Sequence, residues 1–206
     1  MEDDNQYINF TSTQHVTNAI LNDQFSCCQL DPQMCLKYGE PSPSESTGVK
    51  CNDWHQKKMQ LRLTEAKRLN SPLLISEFGN CFDTDACVRE IQQVMDQCED
   101  NLCAGWTFSQ FKDFQQLDNP DPRGLRGLYT ENGELQQGKA YVLSRPYILQ
   151  IPGTLKSSLY DHDLRQFNAV FKLKMRYNQP TQAIIFVNQA YYFPNGFDTI
   201  IKKYHN

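Results

Sequence analysis

The chain has no run of 18 apolar residues, so no segment reads as a membrane-spanning helix. Its opening residues, Met1-Glu-Asp-Asp-Asn, have neither the basic stretch nor the apolar stretch of a secretory leader. Charge of one sign is not in excess either. Twenty Lys and Arg face 24 Asp and Glu, for a formal charge of -4 and a pI of about 5.6, which leaves no electrostatic footprint for nucleic acid. Cysteine is missing from the last 103 residues. No Cys-x-x-Cys pair occurs, and no histidine stands at ligand spacing from two cysteines, which argues against zinc. No internal repeat or low-complexity tract is visible, and a soluble protein is expected.

What cysteine there is lies in one block: Cys27, Cys28, Cys35, Cys51, Cys81, Cys87, Cys98 and Cys103. An even, clustered set points to disulfides formed in an oxidising compartment, and the sequon Asn9-Phe10-Thr11 fits a secreted or lumenal protein. Eight cysteines allow 105 connectivities. Proximity along the chain pairs Cys81 with Cys87 and Cys98 with Cys103. Cys35 and Cys51 could pin the Pro-, Ser- and Gly-rich stretch 31–52, read as a long loop.

Periodicity divides the chain near residue 140, into 1–139 and 140–206. The first part predicts a strand near Asn18–Asn22 and a helix over Trp54–Asn70 with Met59, Leu61, Leu63, Ala66 and Leu69 at helical spacing. Lys57, Lys58, Lys67 and Arg68 are interleaved with Glu65 and glutamines and read as its solvated face. Leu73-Leu-Ile-Ser-Glu-Phe-Gly79 reads as a buried strand that delivers one carboxylate, Glu77, at its end. A helix over Asp83–Glu99 and a strand over Leu102–Phe108 complete a βαβ unit with parallel pairing. The second part reads as antiparallel β structure, with strands at Tyr147–Ile151, Ala169–Tyr177 and Ala183–Asn188 broken by Asn178-Gln-Pro and Pro194-Asn-Gly.

Ser76-Glu77-Phe-Gly79, followed one unit later by Ala104-Gly-Trp106-Thr-Phe108, resembles the last two barrel strands of glycoside hydrolase family 5, most closely its endoglycoceramidase-like branch. The resemblance covers residues 20–115 well and continues more loosely beyond. It implies an α/β fold: about three strands from the C-terminal part of a (β/α)8 TIM barrel, then a small antiparallel β-sandwich-like domain. A whole barrel takes about 250 residues, and only 76 precede Glu77, so the chain is expected to be the C-terminal part of a longer enzyme. Alone, its strands should be poorly stable, with open edges and half a core.

The same resemblance makes Glu77 the nucleophile of a retaining glycosidase. Such an enzyme needs two carboxyl groups about 5–5.5 Å apart and no cofactor or metal. The partner acid is the glutamate of an Asn-Glu-Pro motif in the family, and that motif does not occur here; Glu40-Pro41 follows a glycine and comes too late in chain order. Trp106 could stack on a sugar ring, and Gln110 and Lys112 could hydrogen-bond sugar hydroxyls. Where relatives show a His-x-Tyr strand end, this chain has Gln24 and Ser26 before its Cys27-Cys28 pair, which puts activity in doubt more than fold. The implied substrate is a carbohydrate or glycolipid such as a glycosylceramide, met at a membrane surface through that substrate, outside the cell or in the lysosomal lumen. Two other readings stay open: a degenerate paralogue that holds glycan or lipid without cleaving it, and a disulfide-stapled structural module.

Overall fold

The computed structural model describes residues 19–26, 45–79, 81, 84–114, 126–174 and 181–203. Glu40, the Asn9 sequon, Cys27, Cys28 and Cys35 lie outside them.

Three parallel strands form the first sheet, in the order β1 (Leu21–Phe25), β2 (Leu73–Phe78), β3 (Gly105–Trp106). Helix α1 (Glu45–Leu69) joins β1 to β2, and α2 (Asp85–Asp100) joins β2 to β3. This is the repeating unit expected of a barrel segment. Helix α1 starts earlier than the spacing predicts and takes in residues 45–52 of the expected loop. Its buried stripe passes through Cys51, His55, Met59 and Ala66, while Leu61 is exposed. Position 61 lies two residues past Met59, half a turn off that stripe. Lys58 corrects the solvated-face reading: it is buried, whereas Lys57, Lys67 and Arg68 are exposed.

Both helices end in a left-handed residue, Asn70 (φ 51°) and Leu102 (φ 53°). In each case the next amide turns back onto the last turn, Ser71 N to Ala66 O at 3.0 Å and Cys103 N to Cys98 O at 2.9 Å. Helix α2 begins at Thr84, whose hydroxyl accepts the Cys87 amide at 3.2 Å. Leu73, Ile75 and Phe78 pack with Met59, Ile91, Val94, Met95 and Phe25 into one core.

The expected Cys81–Cys87 disulfide is present. Cys51 is disulfide-bonded as well. Cys98 and Cys103 are free thiols, which corrects the second proximity pairing. They sit against each other at the turn from α2 to β3, and their shared hydrogen bond holds the Cys98 thiol above its ordinary pKa and the Cys103 thiol below it.

Helix α3 (Gln137–Leu143) spans the division expected near residue 140, and its Val142 belongs to the core of the first unit. Antiparallel structure follows: β4 (Tyr147–Gln150) pairs β7 (Ile184–Phe186), and β5 (Gly153–Asp161) pairs β6 (Gln166–Leu173). Helix α4 (Gln189–Tyr192) closes the series. Among the described residues these are two two-stranded sheets. Strand β6 starts earlier than expected because Asp161 Oδ1 accepts the amides of Asp163 and Leu164, at 3.0 and 2.8 Å, and builds a tight turn. Met175–Tyr177, the rest of the expected strand, fall outside the described residues.

Arg145 joins the two parts. It is almost fully buried, pairs with Asp96 and places Nε 2.9 Å from Glu99 on α2. The Tyr160 amide of β5 donates to the same Glu99 carboxylate at 3.4 Å.

Candidate active site

The site candidate is the C-terminal end of β2. Leu73 and Ile75 point into the core, and strict alternation would carry Glu77 in after them. The ladder slips instead. Asp23 pairs with Ile75, but the next residue, Gln24, pairs with Glu77, leaving Ser76 as an extra residue on β2. This bulge reverses the pleat, so Phe78 is fully buried among the core side chains and Glu77 is left half-buried on the other side of the strand. The extra residue is fastened on both flanks: Ser76 Oγ donates to the Asp23 carbonyl at 3.2 Å, and Thr107 Oγ1 donates to the Ser76 carbonyl.

Beyond the strand the chain turns at Gly79, with φ 86°. A Cβ there would lie 2.1 Å from Cε2 of Phe108, so only glycine lets the Phe108 ring close over this turn. Phe108 also meets Phe78 edge to face at 5.9 Å. Farther out, Lys139, fully buried, donates from Nζ to the carbonyls of Cys81 (2.9 Å) and Gly127 (3.0 Å), which ties the loop after Glu77 to α3.

Gln24 stands opposite Glu77 and is exposed. Its backbone is held on both sides: its amide donates to Asp23 Oδ1 at 2.8 Å, and its carbonyl accepts from Lys58 Nζ. Lys58 also lies 3.3 Å from Asp23 and about 5 Å above the rings of Phe25 and Trp54. Burial lowers the pKa of its amine, against the pull of Asp23. Burial works against the charge of Arg62 too, but its hydrogen bonds to Asp23 (2.5 Å) and Glu65 (2.6 Å) outweigh this and raise its pKa. Asp23 and Arg62 were not singled out in the sequence, and Lys58 was read there only as part of a solvated face. The available signal was the i, i+4 spacing of Lys58 and Arg62, which places both cations on one side of α1.

Trp106 pairs with Ile75 in the ladder and is half-buried. Its ring meets Phe78 edge to face at 5.5 Å and packs against the core. Gln110 and Lys112 lie past the end of β3 on a segment laid alongside 127–130. Gln110 O accepts the Leu128 amide at 2.8 Å, and Lys112, exposed, bridges to Tyr129. Buried Asp113 anchors this segment by accepting from Gly127 N at 2.6 Å and Gln136 Nε2 at 3.2 Å. Ser26, just past β1, is half-buried. The fold thus sets Gln24 beside Glu77 in register and puts Trp106, Gln110 and Lys112 along and beyond the neighbouring strand. Among the described residues, no three His, Cys, Asp or Glu stand close enough to hold a metal ion.

The parallel α/β sheet with a carboxylate at a strand end is followed by antiparallel sheets, and residues 145–205 match the glycoside hydrolase family 5 C-terminal domain. Among solved structures, endo-glycoceramidase II from Rhodococcus sp. is similar to this chain at 15% identity, with a TM-score of 0.54 over 74% of this chain and 32% of that one. Its cellobiose-like isofagomine complex gives 15% identity and 0.54 over 78% and 32%, and its lactosyl-enzyme intermediate 15% and 0.50 over 72% and 31%. At such identities the likeness is one of fold. The chain spans about a third of the length of these structures. No curated protein matches the chain. The sequence match to family 5 thus concerns residues 145–205, and the likeness to the endo-glycoceramidase structures is one of fold.

Proposed function

We propose that this chain is the C-terminal portion of a retaining β-glycosidase that cleaves the O-glycosyl bond of a glycolipid such as a glycosylceramide, with Glu77 as nucleophile. The observation that carries the reading is the bulge at Ser76, which turns a carboxylate out of the helix-side core at the C-terminal end of a parallel strand. Active sites of barrel enzymes are built at that end. A solved relative in this fold is a lactosyl-enzyme intermediate, which supports covalent chemistry of the same kind here.

In the first step a Glu77 oxygen bonds to the anomeric carbon, and the bond from that carbon to the leaving oxygen breaks as the leaving oxygen takes a proton from a separate acid. Water then hydrolyses the glycosyl ester and frees Glu77. By the family resemblance that acid would be the glutamate of an Asn-Glu-Pro motif, which does not occur in this sequence. Gln24, in register with Glu77, would orient it through the amide. Trp106 would offer indole surface to a sugar ring, although its contact with Phe78 also makes it a structural residue. Gln110 and Lys112 would meet sugar hydroxyls. The β4–β7 structure would form the sandwich-like domain behind the barrel, and the protein would work outside the cell or in the lysosomal lumen.

Gln24 also supports a second reading, a protein that binds glycan or lipid without cleaving it, because an amide cannot exchange a proton as an imidazole does. A 2-deoxy-2-fluoroglycoside offered to the intact polypeptide that carries these residues separates the two. Labelling of the peptide containing Glu77 is expected. Binding without covalent label favours the second reading, and a label on another carboxylate overturns the assignment.

A further inference from the structure

Charge is divided unevenly along the chain. Residues 145–206 carry eight Lys and Arg against three Asp, a formal +5, so residues 1–144 carry -9. Asymmetry of this kind points to an anionic partner for the basic part.

The β5–β6 hairpin has two unlike ends. Its turn, with Asp161, His162 and Asp163, faces α2, where the Tyr160 amide meets Glu99 and His162 lies 3.9 Å from Asp96. Its open end, roughly 25 Å away by strand rise, carries Lys172, Leu173 and Lys174, all exposed. Leu173 pairs with Gly153, and the Lys174 amide donates to the Pro152 carbonyl at 2.9 Å. Two residues before Pro152, Gln150 pairs with Ile184. Leu149 (57% exposed), Leu173 (64%) and Ile184 (42%) thus lie on strands whose ends come together around residues 150–153, where the chain passes from one sheet to the other. The segment after α4 repeats the composition: Ile200 and Ile201 are 77% and 91% exposed and run directly into exposed Lys202 and Lys203.

We propose that the open end of the β5–β6 hairpin, with the aliphatic side chains of β4 and β7 beside it, is a docking surface for an anionic lipid bilayer, and that residues 200–203 add to it. Lysines beside an anionic surface are attracted to its headgroups, and exposed aliphatic side chains leave water by entering the headgroup and acyl boundary. A nucleic acid would satisfy only the lysines. The Ile and Leu side chains therefore favour the bilayer.

Cosedimentation of the full chain with phosphatidylcholine vesicles, with and without phosphatidylserine, tests this. No glycolipid is present, so the outcome is independent of the glycosidase reading. Binding to the phosphatidylserine vesicles alone, weakened by salt, is expected. Lys172→Glu with Lys174→Glu should lower it about tenfold or more. Leu173→Ser, and Ile200→Ser with Ile201→Ser, should each lower it while the circular dichroism spectrum stays unchanged. Equal binding to neutral vesicles, or none to anionic ones, overturns the proposal. So does binding indifferent to the aliphatic substitutions and matched by retention on duplex DNA, which would assign a general polyanion site.

Discussion

Gln24 and Glu77 face each other across β1 and β2, one position beyond the point where the ladder slips by a residue. That slip decides which side of the sheet the Glu77 carboxylate occupies. Without it, Glu77 would follow Ile75 into an apolar core, where an ionised carboxylate would be strongly disfavoured.

Glu77→Gln should abolish covalent labelling by a fluoroglycoside and lower turnover in the intact polypeptide by about 10³-fold or more, because an amide cannot form the glycosyl ester. Peptide mapping and steady-state kinetics read both outcomes. Turnover kept within tenfold would remove Glu77 from the mechanism.

Gly79→Ala should destabilise the first unit by at least about 1–3 kcal/mol, since the new Cβ meets the Phe108 ring and the left-handed backbone disfavours it. Denaturant unfolding measures the loss. Gly79→Ala with Phe108→Ala should recover the steric share only, leaving the cost of the positive φ.

Stability should depend on pH through Glu99. Burial lifts this carboxyl from 4.5 to about 7, outweighing the opposing pull of Arg145 and the Tyr160 amide. The folded form therefore holds a proton that the unfolded chain releases at lower pH. The resulting stabilisation is complete below about pH 4.5, shrinks as pH rises, and is gone above about pH 7, for a total of about 3 kcal/mol. Melting temperatures followed across this window should fall as pH rises, and Glu99→Gln should flatten that slope. A wild-type melting temperature that rises through the window would contradict the assignment.

Breaking the Cys81–Cys87 disulfide by a double substitution to Ala should cost about 2 kcal/mol, the loop-closure entropy expected of so short a ring. Lys139→Met should cost a similar amount or more, about 2–4 kcal/mol, by leaving the Cys81 and Gly127 carbonyls without their charged donor. Both act on the loop after Glu77. If their effects on unfolding free energy add without coupling, Lys139 does not brace that loop.

The sequence alone determined the parallel unit, because apolar runs bounded by glycine and proline, with a helical period between them, have few other ways to bury themselves. It also gave Cys81 its partner and marked Glu77 as the carboxylate at the end of β2. Hairpin β5–β6 was half seen. Gly153–Asp161 is too polar to read as a strand until β6 pairs with it. Only the tertiary structure decided the rest. It showed a buried Lys58 over two rings, Arg145 joining α2 to the antiparallel sheets, two thiols left unjoined, and a ladder slip that turns one side chain from the core to the other side of its strand. Each depends on residues far apart in the chain meeting in space, and local spacing carries no record of such meetings.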